Sequence, residues 1–131
     1  MIVIDSCGWI AYLAGDARCQ AFARLLDRPP ERVVVPTLVL FEVCRWVARE
    51  RSDTAALEIA GLLQSRRIEP LQPQVAVRAV WLARAHKLAA ADALIYAHAQ
   101  CLNAPLATSD AAFAGLPGVI LVRMDGRAAP S

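Results

Sequence analysis

The chain has 131 residues, of which 57% are hydrophobic and 20% charged, and its formal net charge is +2. This composition excludes a disordered chain, which combines low hydrophobicity with high net charge. The length fits one domain and is too short for a (β/α)8 barrel, which takes about 250 residues. We therefore expect a single globular domain over residues 1–131, with an apolar excess that meets another chain.

Targeting and membrane signals are missing from the sequence pattern. The opening Met-Ile-Val-Ile-Asp is not a basic segment followed by an apolar stretch and a cleavage site. No apolar run approaches the roughly 18 residues of a transmembrane candidate. The four cysteines include no C-x-x-C pair, which fits thiols kept reduced. We expect a cytoplasmic protein without a membrane segment.

Short β-branched runs alternate with longer helical segments along the chain. In chain order the pattern predicts a strand at 2–4, helices at 8–13 and 17–27, a strand at 33–35, helices at 37–51 and 53–67, a strand at 68–71, helices at 74–86 and 90–101, and strands at 105–107 and 119–122. Continuous apolar strands separated by helices are typical of a parallel sheet that is covered on both faces. The predicted fold is α/β, a three-layer α/β/α sandwich with a short, mostly parallel sheet.

Local signals add detail to three of these segments. Thr37 is the predicted N-cap of the helix that ends near Arg51. The tail from about residue 125, with its final Ala-Ala-Pro-Ser, is expected to fray. The helix at 74–86 places four apolar residues along one face: Val77, Val80, Trp81 and Ala85.

Four of the twelve acidic residues fall close to predicted strand ends or helix starts. Asp5 follows the first strand directly, and Asp110 comes just after the strand at 105–107. Glu42 lies early in the helix that leaves the second strand, and Asp92 lies near the start of the helix at 90–101. Open parallel sheets bind ligands beyond the carboxyl ends of their strands. We therefore expect these four carboxylates to converge on one rim of the sheet.

Each of the four acids also has an ordinary local explanation. Asp110 suits a helix N-cap, and Asp92 suits a first helical turn, where the helix dipole favours negative charge. Glu42 suits an ion pair with an arginine farther along its helix, and Asp5 suits a turn at a strand end. Separate local reasons explain each residue, but they do not explain why all four are expected at one sheet edge.

Four clustered carboxylates need a compensating charge. Each like-charge pair about 5 Å apart costs about 3 kcal/mol at an effective dielectric constant near 20. The single lysine, Lys87, is not available to neutralise them, so either some carboxylates are protonated or a cation lies between them. Oxygen ligands select a hard cation such as Mg²⁺ or Mn²⁺. A carboxylate-held Mg²⁺ suits phosphodiester hydrolysis.

The segments around these acids resemble the motifs of the PIN domain family, and within it the VapC-like toxins of toxin–antitoxin pairs. The first segment is similar to the family's Asp-Ser-Ser-x-Trp-Ile signature, and the order and spacing of all the segments fit a single-domain member. The segments are IDSCGWI at 4–10, LFEV at 40–43, ADALIYA at 91–97 and LATSDAAF at 106–113.

The resemblance implies a specific site and activity. Asp5, Glu42, Asp92 and Asp110 would form an acidic quartet that holds Mg²⁺ or Mn²⁺ for RNA cleavage. Asp5 and Asp92 would be the firmest ligands, with Asp110 and Glu42 binding directly or through water. Thr108 would match a hydroxyl that supports the site.

The same resemblance implies partners, and it shows one departure. Such proteins commonly form homodimers, and a small VapB-like antitoxin blocks the site and represses the shared operon. Cys7 stands where serine is frequent in the family, so a hydrogen bond beside Asp5 is expected to be lost there. No metal ligand is affected by this departure.

Contacts to RNA are less specific in the sequence. Arg45 and Arg49 follow Glu42 within one or two helical turns on the same face, so they are candidates for binding phosphates beside the metal. The alternative is a solvated or salt-bridged helix face, which is a common use of such arginines.

Two other functions compete with the nuclease interpretation. A haloacid-dehalogenase-type phosphatase needs a second Asp two positions after the first, where this chain has Cys7, and a response-regulator receiver needs adjacent acids where it has Ser6. A non-catalytic PIN-like module that binds RNA or protein without cutting is the other alternative. An incomplete quartet would favour that module, whereas all four acids are present.

Overall fold

Six strands form one sheet in the computed structural model, which describes residues 1–130. The sheet order is β3-β2-β1-β4-β5-β6; neighbouring strands from β3 to β5 are parallel, and β6 pairs antiparallel with β5. The strands are β1 Ile2–Ile4, β2 Val33–Pro36, β3 Arg67–Glu69, β4 Leu106–Thr108, β5 Val119–Val122 and β6 Ala128–Pro130. This confirms the predicted α/β class with a short, mostly parallel sheet.

Six α-helices connect and cover these strands. Because successive side chains of a strand point to opposite faces, the complete burial of Ile2, Val3 and Ile4 means that both faces of the sheet are covered. The helices are α1 Ser6–Ala14, α2 Cys19–Leu26, α3 Thr37–Glu50, α4 Asp53–Gln64, α5 Pro73–His86 and α6 Ala90–Cys101, with 3-10 turns at Pro30–Arg32 and Ala111–Phe113. In the described residues, no helix combines the length and apolar character needed to cross a membrane.

Several element boundaries differ from the sequence prediction for local physical reasons. Helix α1 begins at Ser6, before the predicted residue 8, because Asp5 caps it. Thr37 is not the N-cap of α3; the extended Pro36 precedes the helix, and Thr37 is its first residue. Helix α4 ends before Arg67 because Arg67 pairs with Val34 in the sheet.

The chain end also differs from expectation. Residues 128–130, which the sequence predicts to fray, pair with β5. Ala128 lies opposite Val122, Ala129 opposite Leu121 and Pro130 opposite Ile120. Residue Ser131 of the predicted frayed tail lies outside the described residues. An antiparallel strand needs only a short turn to return along its neighbour, and Gly126, with a φ of 82°, provides part of that turn.

Helix α5 uses a different face for packing than the one that carries its largest apolar residues. Val75, Ala79 and Leu82 are the buried residues of this helix. The predicted apolar face exists but points outward, with Trp81 55% exposed. Trp81 shares that exposed face with Val77, Val80 and Ala85.

Candidate active site

Asp5 lies at the carboxyl end of β1, where the chain passes directly into α1. Its side chain is 3% exposed, and its Oδ1 accepts a 2.7 Å hydrogen bond from the backbone N–H of Ser6. β1 pairs with β2 on one side and with β4 on the other, which gives Asp5 an interior position along the sheet edge. The sequence prediction of a strand-end carboxylate is therefore correct, and Asp5 is also a helix cap.

Thr108 connects the ends of β1 and β4. Its fully buried hydroxyl donates to Oδ2 of Asp5 at 2.9 Å and accepts from the backbone N–H of Asp110 at 3.0 Å. One hydroxyl therefore fixes the orientation of one acid and the backbone of another. Thr108 therefore connects Asp5 with the backbone of Asp110.

Cys7 retains a contact that we expected the serine-to-cysteine departure to remove. Its Sγ lies 3.4 Å from Oδ2 of Asp5 and 3.2 Å from Oγ1 of Thr108. Burial, followed by the negative charge of Asp5, raises the pKa of the Cys7 thiol. The thiol stays protonated as a result and donates weakly to the carboxylate.

Asp110 has the capping role that was its local alternative. Its Oδ1 accepts a 2.9 Å hydrogen bond from the backbone N–H of Ala112 at the start of the second 3-10 turn. This bond orients the carboxylate without burying it, since Asp110 is of intermediate exposure. Asp110 can cap the turn and also belong to a charged site, because the hydrogen bond engages only one of its two carboxylate oxygens.

Asp92 lies in the first turn of α6 and is repelled by the other three acids. Burial, then the charges of Asp5, Asp110 and Glu42, raises its pKa to about 6. No hydrogen bond within residues 1–130 opposes this rise. Because electrostatic effects of this kind weaken with distance, Asp5, Asp110 and Glu42 lie in the neighbourhood of Asp92.

Glu42 reaches the same region from α3. Its Oε1 is buried and has no hydrogen-bond partner within the described part of the chain. Burial and then the charge of Asp5 raise its pKa, while the hydroxyl of Ser6 and then the positive charge of Arg45 lower it. An unpartnered carboxylate oxygen is costly in a protein, so a donor or a cation beside Oε1 would stabilise Glu42.

The four side chains provide only oxygen ligands. Within residues 1–130, no three carboxylate, histidine or cysteine side chains are gathered closely enough to enclose a metal ion by themselves. Mg²⁺ usually keeps several waters and uses one or two carboxylates, so such a spacing suits it better than a closed protein cage. A bound cation would satisfy the unpartnered Glu42 oxygen and relieve the repulsion that raises the Asp92 pKa.

Arg18 is a neighbour of the site that the sequence prediction missed. Its guanidinium donates to Oγ of Ser109 at 3.0 Å and forms an ion pair with Asp16 at 2.7 Å. Hydrogen bonding from Arg18 lowers the Asp16 pKa, so the charge of this arginine is already committed. The Gly-Asp that follows α1 was a visible signal, but the link to Ser109 depends on the fold.

The two predicted RNA-binding arginines have different surroundings. Arg45 lies with its guanidinium carbon 5.2 Å from the Phe41 ring centroid, on the exposed surface near Glu42. Arg49 pairs with Glu50 at 3.1 Å, and both side chains are more than half exposed. Arg49 therefore has the salt-bridged surface position that was its alternative, whereas Arg45 remains near the acids.

Comparison with known proteins places this site in a family context. The PIN domain family matches residues 2–119. No curated protein sequence matches this chain significantly.

Several solved structures have a similar fold. A toxin–antitoxin complex from Klebsiella pneumoniae contains a chain that is 24% identical, with a TM-score of 0.79 over 92% of this chain and 96% of that one. The sarcin–ricin loop cleaving toxin VapC20 from Mycobacterium tuberculosis is 26% identical, with a TM-score of 0.66 over 79% and 85%. VapBC2 from Rickettsia felis, bound to promoter DNA, gives 18% identity and a TM-score of 0.73 over 92% and 97%. The chain belongs to the PIN domain family, and within that family it resembles the toxins of toxin–antitoxin pairs.

Proposed function

We propose that this protein is a metal-dependent endoribonuclease that acts through Asp5, Glu42, Asp92 and Asp110. The observation that carries the proposal is that the Thr108 hydroxyl bonds both the Asp5 carboxylate and the Asp110 N–H, beside an Asp92 whose pKa is raised to about 6 by burial and then by the other three carboxylates. Such mutual repulsion is unfavourable in a purely structural site and becomes useful when a divalent cation is bound. The VapC20 relative is described as a toxin that cleaves an RNA loop, which supports RNA as the substrate class.

Mg²⁺ or Mn²⁺ is the proposed cofactor. Asp5 and Asp92 would be the firmest ligands, and Asp110 and Glu42 would bind directly or through water. When bound, such an ion supplies an activated water and stabilises the leaving oxygen of a phosphodiester. Thr108 would support the site, since its hydroxyl holds the Asp5 carboxylate in one orientation.

The chain's own residues would prepare the site for this cation. The backbone N–H of Ser6 and the hydroxyl of Thr108 each donate to one oxygen of Asp5 and so fix the orientation of this carboxylate. The backbone N–H of Ala112 donates to one oxygen of Asp110 and orients it. Asp92 is ionised above about pH 6, so at neutral pH it offers a charged oxygen to a cation. Arg45, near Glu42, would bind a substrate phosphate, and Arg49 would extend that contact if it leaves Glu50.

We further propose that the protein is the toxin of a VapBC-type pair in the cytoplasm. The toxin–antitoxin assemblies of its structural neighbours support a VapB-like antitoxin as partner. A homodimer is also proposed, and the outward face of α5, with Trp81 55% exposed, offers apolar surface for such an interface. Light scattering of the purified chain tests this part, and a monomer at all concentrations would contradict it.

The test of the nuclease proposal is cleavage of a structured RNA by the purified protein. We expect products with Mg²⁺ or Mn²⁺ and none in EDTA. Glu58→Gln is a suitable control because Glu58 is an exposed acid of α4, a helix that carries none of the four acids. Equal cleavage in EDTA, or none with either ion, would contradict the proposal.

The same experiment separates the enzyme from a binding module. A PIN-like module without catalysis would retain RNA on a gel in the presence of Mg²⁺ and leave its length unchanged. Sequencing the ends of any products would then define where the enzyme cuts.

A further inference from the structure

A basic cavity lies beside the carboxyl edge of the sheet, on the side of β5 and β6. It has a volume of about 720 Å³ and lies between α2 and the turn that joins these two strands. Its lining includes Arg24 from α2 and Arg123 and Arg127 from the turn, together with Asp125. The volume falls within the range of about 300–1,000 Å³ that is usual for ligand sites.

The charge of this lining is unbalanced. Three arginines face one acid, Asp125, and that acid already accepts a 2.9 Å hydrogen bond from the backbone N–H of Arg127. Asp125 also lies 3.7 Å from Nε of Arg127, which is a loose contact between exposed side chains. Arg24 and Arg123 have no ion pair within residues 1–130. Exposed guanidinium groups of this kind favour phosphate oxygens as ligands.

The strand register connects this cavity with the acidic site. Thr108 of β4 pairs with Leu121 of β5 in parallel register. Asp110 and Arg123 each come two residues later, so both leave the same edge of the sheet from neighbouring strands. Neighbouring strands are about 4.8 Å apart, so the acidic site and the start of the basic cavity adjoin each other.

A second set of contacts connects the cavity with the acidic site. Gly126 in the β5–β6 turn has a φ of 82°, and a Cβ there would lie 2.8 Å from the carbonyl oxygen of Ala17. The turn is therefore packed against the segment between α1 and α2. Arg18, the next residue in that segment, donates to Ser109, which precedes Asp110. The segment that contains Ala17 and Arg18 thus contacts both the turn of the cavity and the residue before Asp110.

We propose that this cavity binds the phosphodiester backbone of the RNA substrate next to the acidic quartet. The inference rests on the proposed nuclease function and adds a second substrate contact, on the α2 side of the site rather than on α3. Arg24, Arg123 and Arg127 contact phosphates, which fixes the position of the strand without reading its bases. The overall net charge of +2 conceals this local concentration of positive charge.

The test measures RNA binding separately from cleavage. The Asp92→Asn protein is titrated in EDTA with a fluorescein-labelled single-stranded oligouridylate, and anisotropy is recorded at several salt concentrations. The Arg24→Gln/Arg127→Gln change is added to this background. We expect weaker binding and a slope of log K against log salt that is shallower by about 1.4, since each lost single-strand phosphate contact contributes about 0.7.

Two matched variants make the result specific. Arg32→Gln removes one positive charge, as Arg123→Gln does, but from an exposed residue just before β2 at the opposite edge of the sheet, and is expected to leave binding unchanged. Arg24→Lys/Arg127→Lys keeps both charges and is expected to retain the salt slope. Thermal melting checks that all variants fold, and Arg123→Gln serves as an independent single change in the cavity.

Three outcomes would overturn the inference. They are unchanged RNA affinity in the cavity variants, an equal loss in Arg32→Gln, or tighter binding of a polyglutamate peptide than of RNA through these arginines. The last result would assign the cavity to an acidic protein segment. This binding assay uses neither metal nor turnover, so it is independent of the cleavage assay. If the cavity variants bind RNA as well as the parent and the parent still cleaves RNA with Mg²⁺, this inference fails but the nuclease proposal stands.

Discussion

Asp5 and Asp92 are two carboxylates of one candidate site with opposite surroundings. Asp5 is more deeply buried, yet both of its oxygens accept hydrogen bonds, from Ser6 and from Thr108. Asp92 is less buried, has no such bond opposing its repulsion by the other acids, and its pKa rises to about 6. The protein thus holds Asp5 in position by its own hydrogen bonds, whereas no hydrogen bond offsets the repulsion at Asp92. Substitutions at these two residues and at Thr108 would remove or enlarge this difference.

Asp92→Asn is expected to have the largest effect. The change removes a charged ligand with almost no change in volume, so the fold should persist while cleavage is abolished. The loss should exceed the roughly 100-fold cost that removal of a supporting partner can reach. Initial cleavage rates in Mg²⁺ measure it, with Glu58→Gln as the matched control. Retained cleavage would remove Asp92 from the site.

Thr108→Val tests how far Asp5 depends on its hydrogen bonds. The change removes the donor to Asp5 and the acceptor for the Asp110 N–H while keeping the side-chain shape. We expect activity to fall about 10- to 100-fold and stability to fall by about 1–3 kcal/mol. Thr108→Ser restores the hydroxyl and should recover most of the activity. Equal activity of the valine and serine variants would contradict the supporting role.

The pH dependence of stability tests the repulsion at Asp92. The folded protein keeps a proton on Asp92 that the unfolded chain releases, between about pH 4 and the folded-state pKa of about 6. This contribution to stability is complete below about pH 4 and is lost as pH rises to about 6. Urea unfolding of the metal-free protein measures it. Asp92→Asn should be more stabilising at pH 7 than at pH 4, and a constant difference would contradict the assignment.

Asp5→Asn is expected to have the smallest effect on stability. Burial is the main cause that raises the Asp5 pKa, and the hydrogen bonds to its carboxylate lower it. A neutral amide should therefore relieve the cost of a buried charge. We expect the metal-free protein to gain about 1–2 kcal/mol, since the Thr108 hydroxyl can rotate to accept from the amide. Thermal melting in EDTA measures the gain. A clear loss would mean that Asp5 stabilises the start of α1 more than it repels its neighbours.

The positions of the four acids relative to the strands and helices were predictable because each acid lies next to or within an element whose sequence pattern is strong. Asp5 follows three β-branched residues that are completely buried, and Asp92 interrupts an apolar helix start. A carboxylate in such an apolar segment is costly to bury unless a partner compensates its charge. The parallel topology then brings the ends of these segments to one edge of the sheet. The supporting contacts of Cys7 and Arg18 were missed because they cross between elements and depend on side-chain directions.

Segments whose sequence pattern is compatible with two arrangements in the fold were predicted less well. Helix α5 has apolar residues on more than one face, and periodicity does not say which face packs; Ala79 and Leu82 are buried, whereas Trp81 is 55% exposed. The chain end was similarly ambiguous, since Ala128–Pro130 has little strand propensity of its own and gains order from the edge of β5. In both places tertiary contacts decide what local sequence leaves open.

Calorimetric titration of the metal-free protein with Mg²⁺ at neutral pH tests the central claim most directly. We expect one saturable binding process in the parent protein and in Glu58→Gln, and its loss or a reduction of at least about tenfold in affinity in Asp92→Asn. The melting temperature of the parent should rise with Mg²⁺ by mass action. Mg²⁺ binding of equal strength in the parent and in Asp92→Asn, or no binding in either, would contradict a cation site built from these four carboxylates.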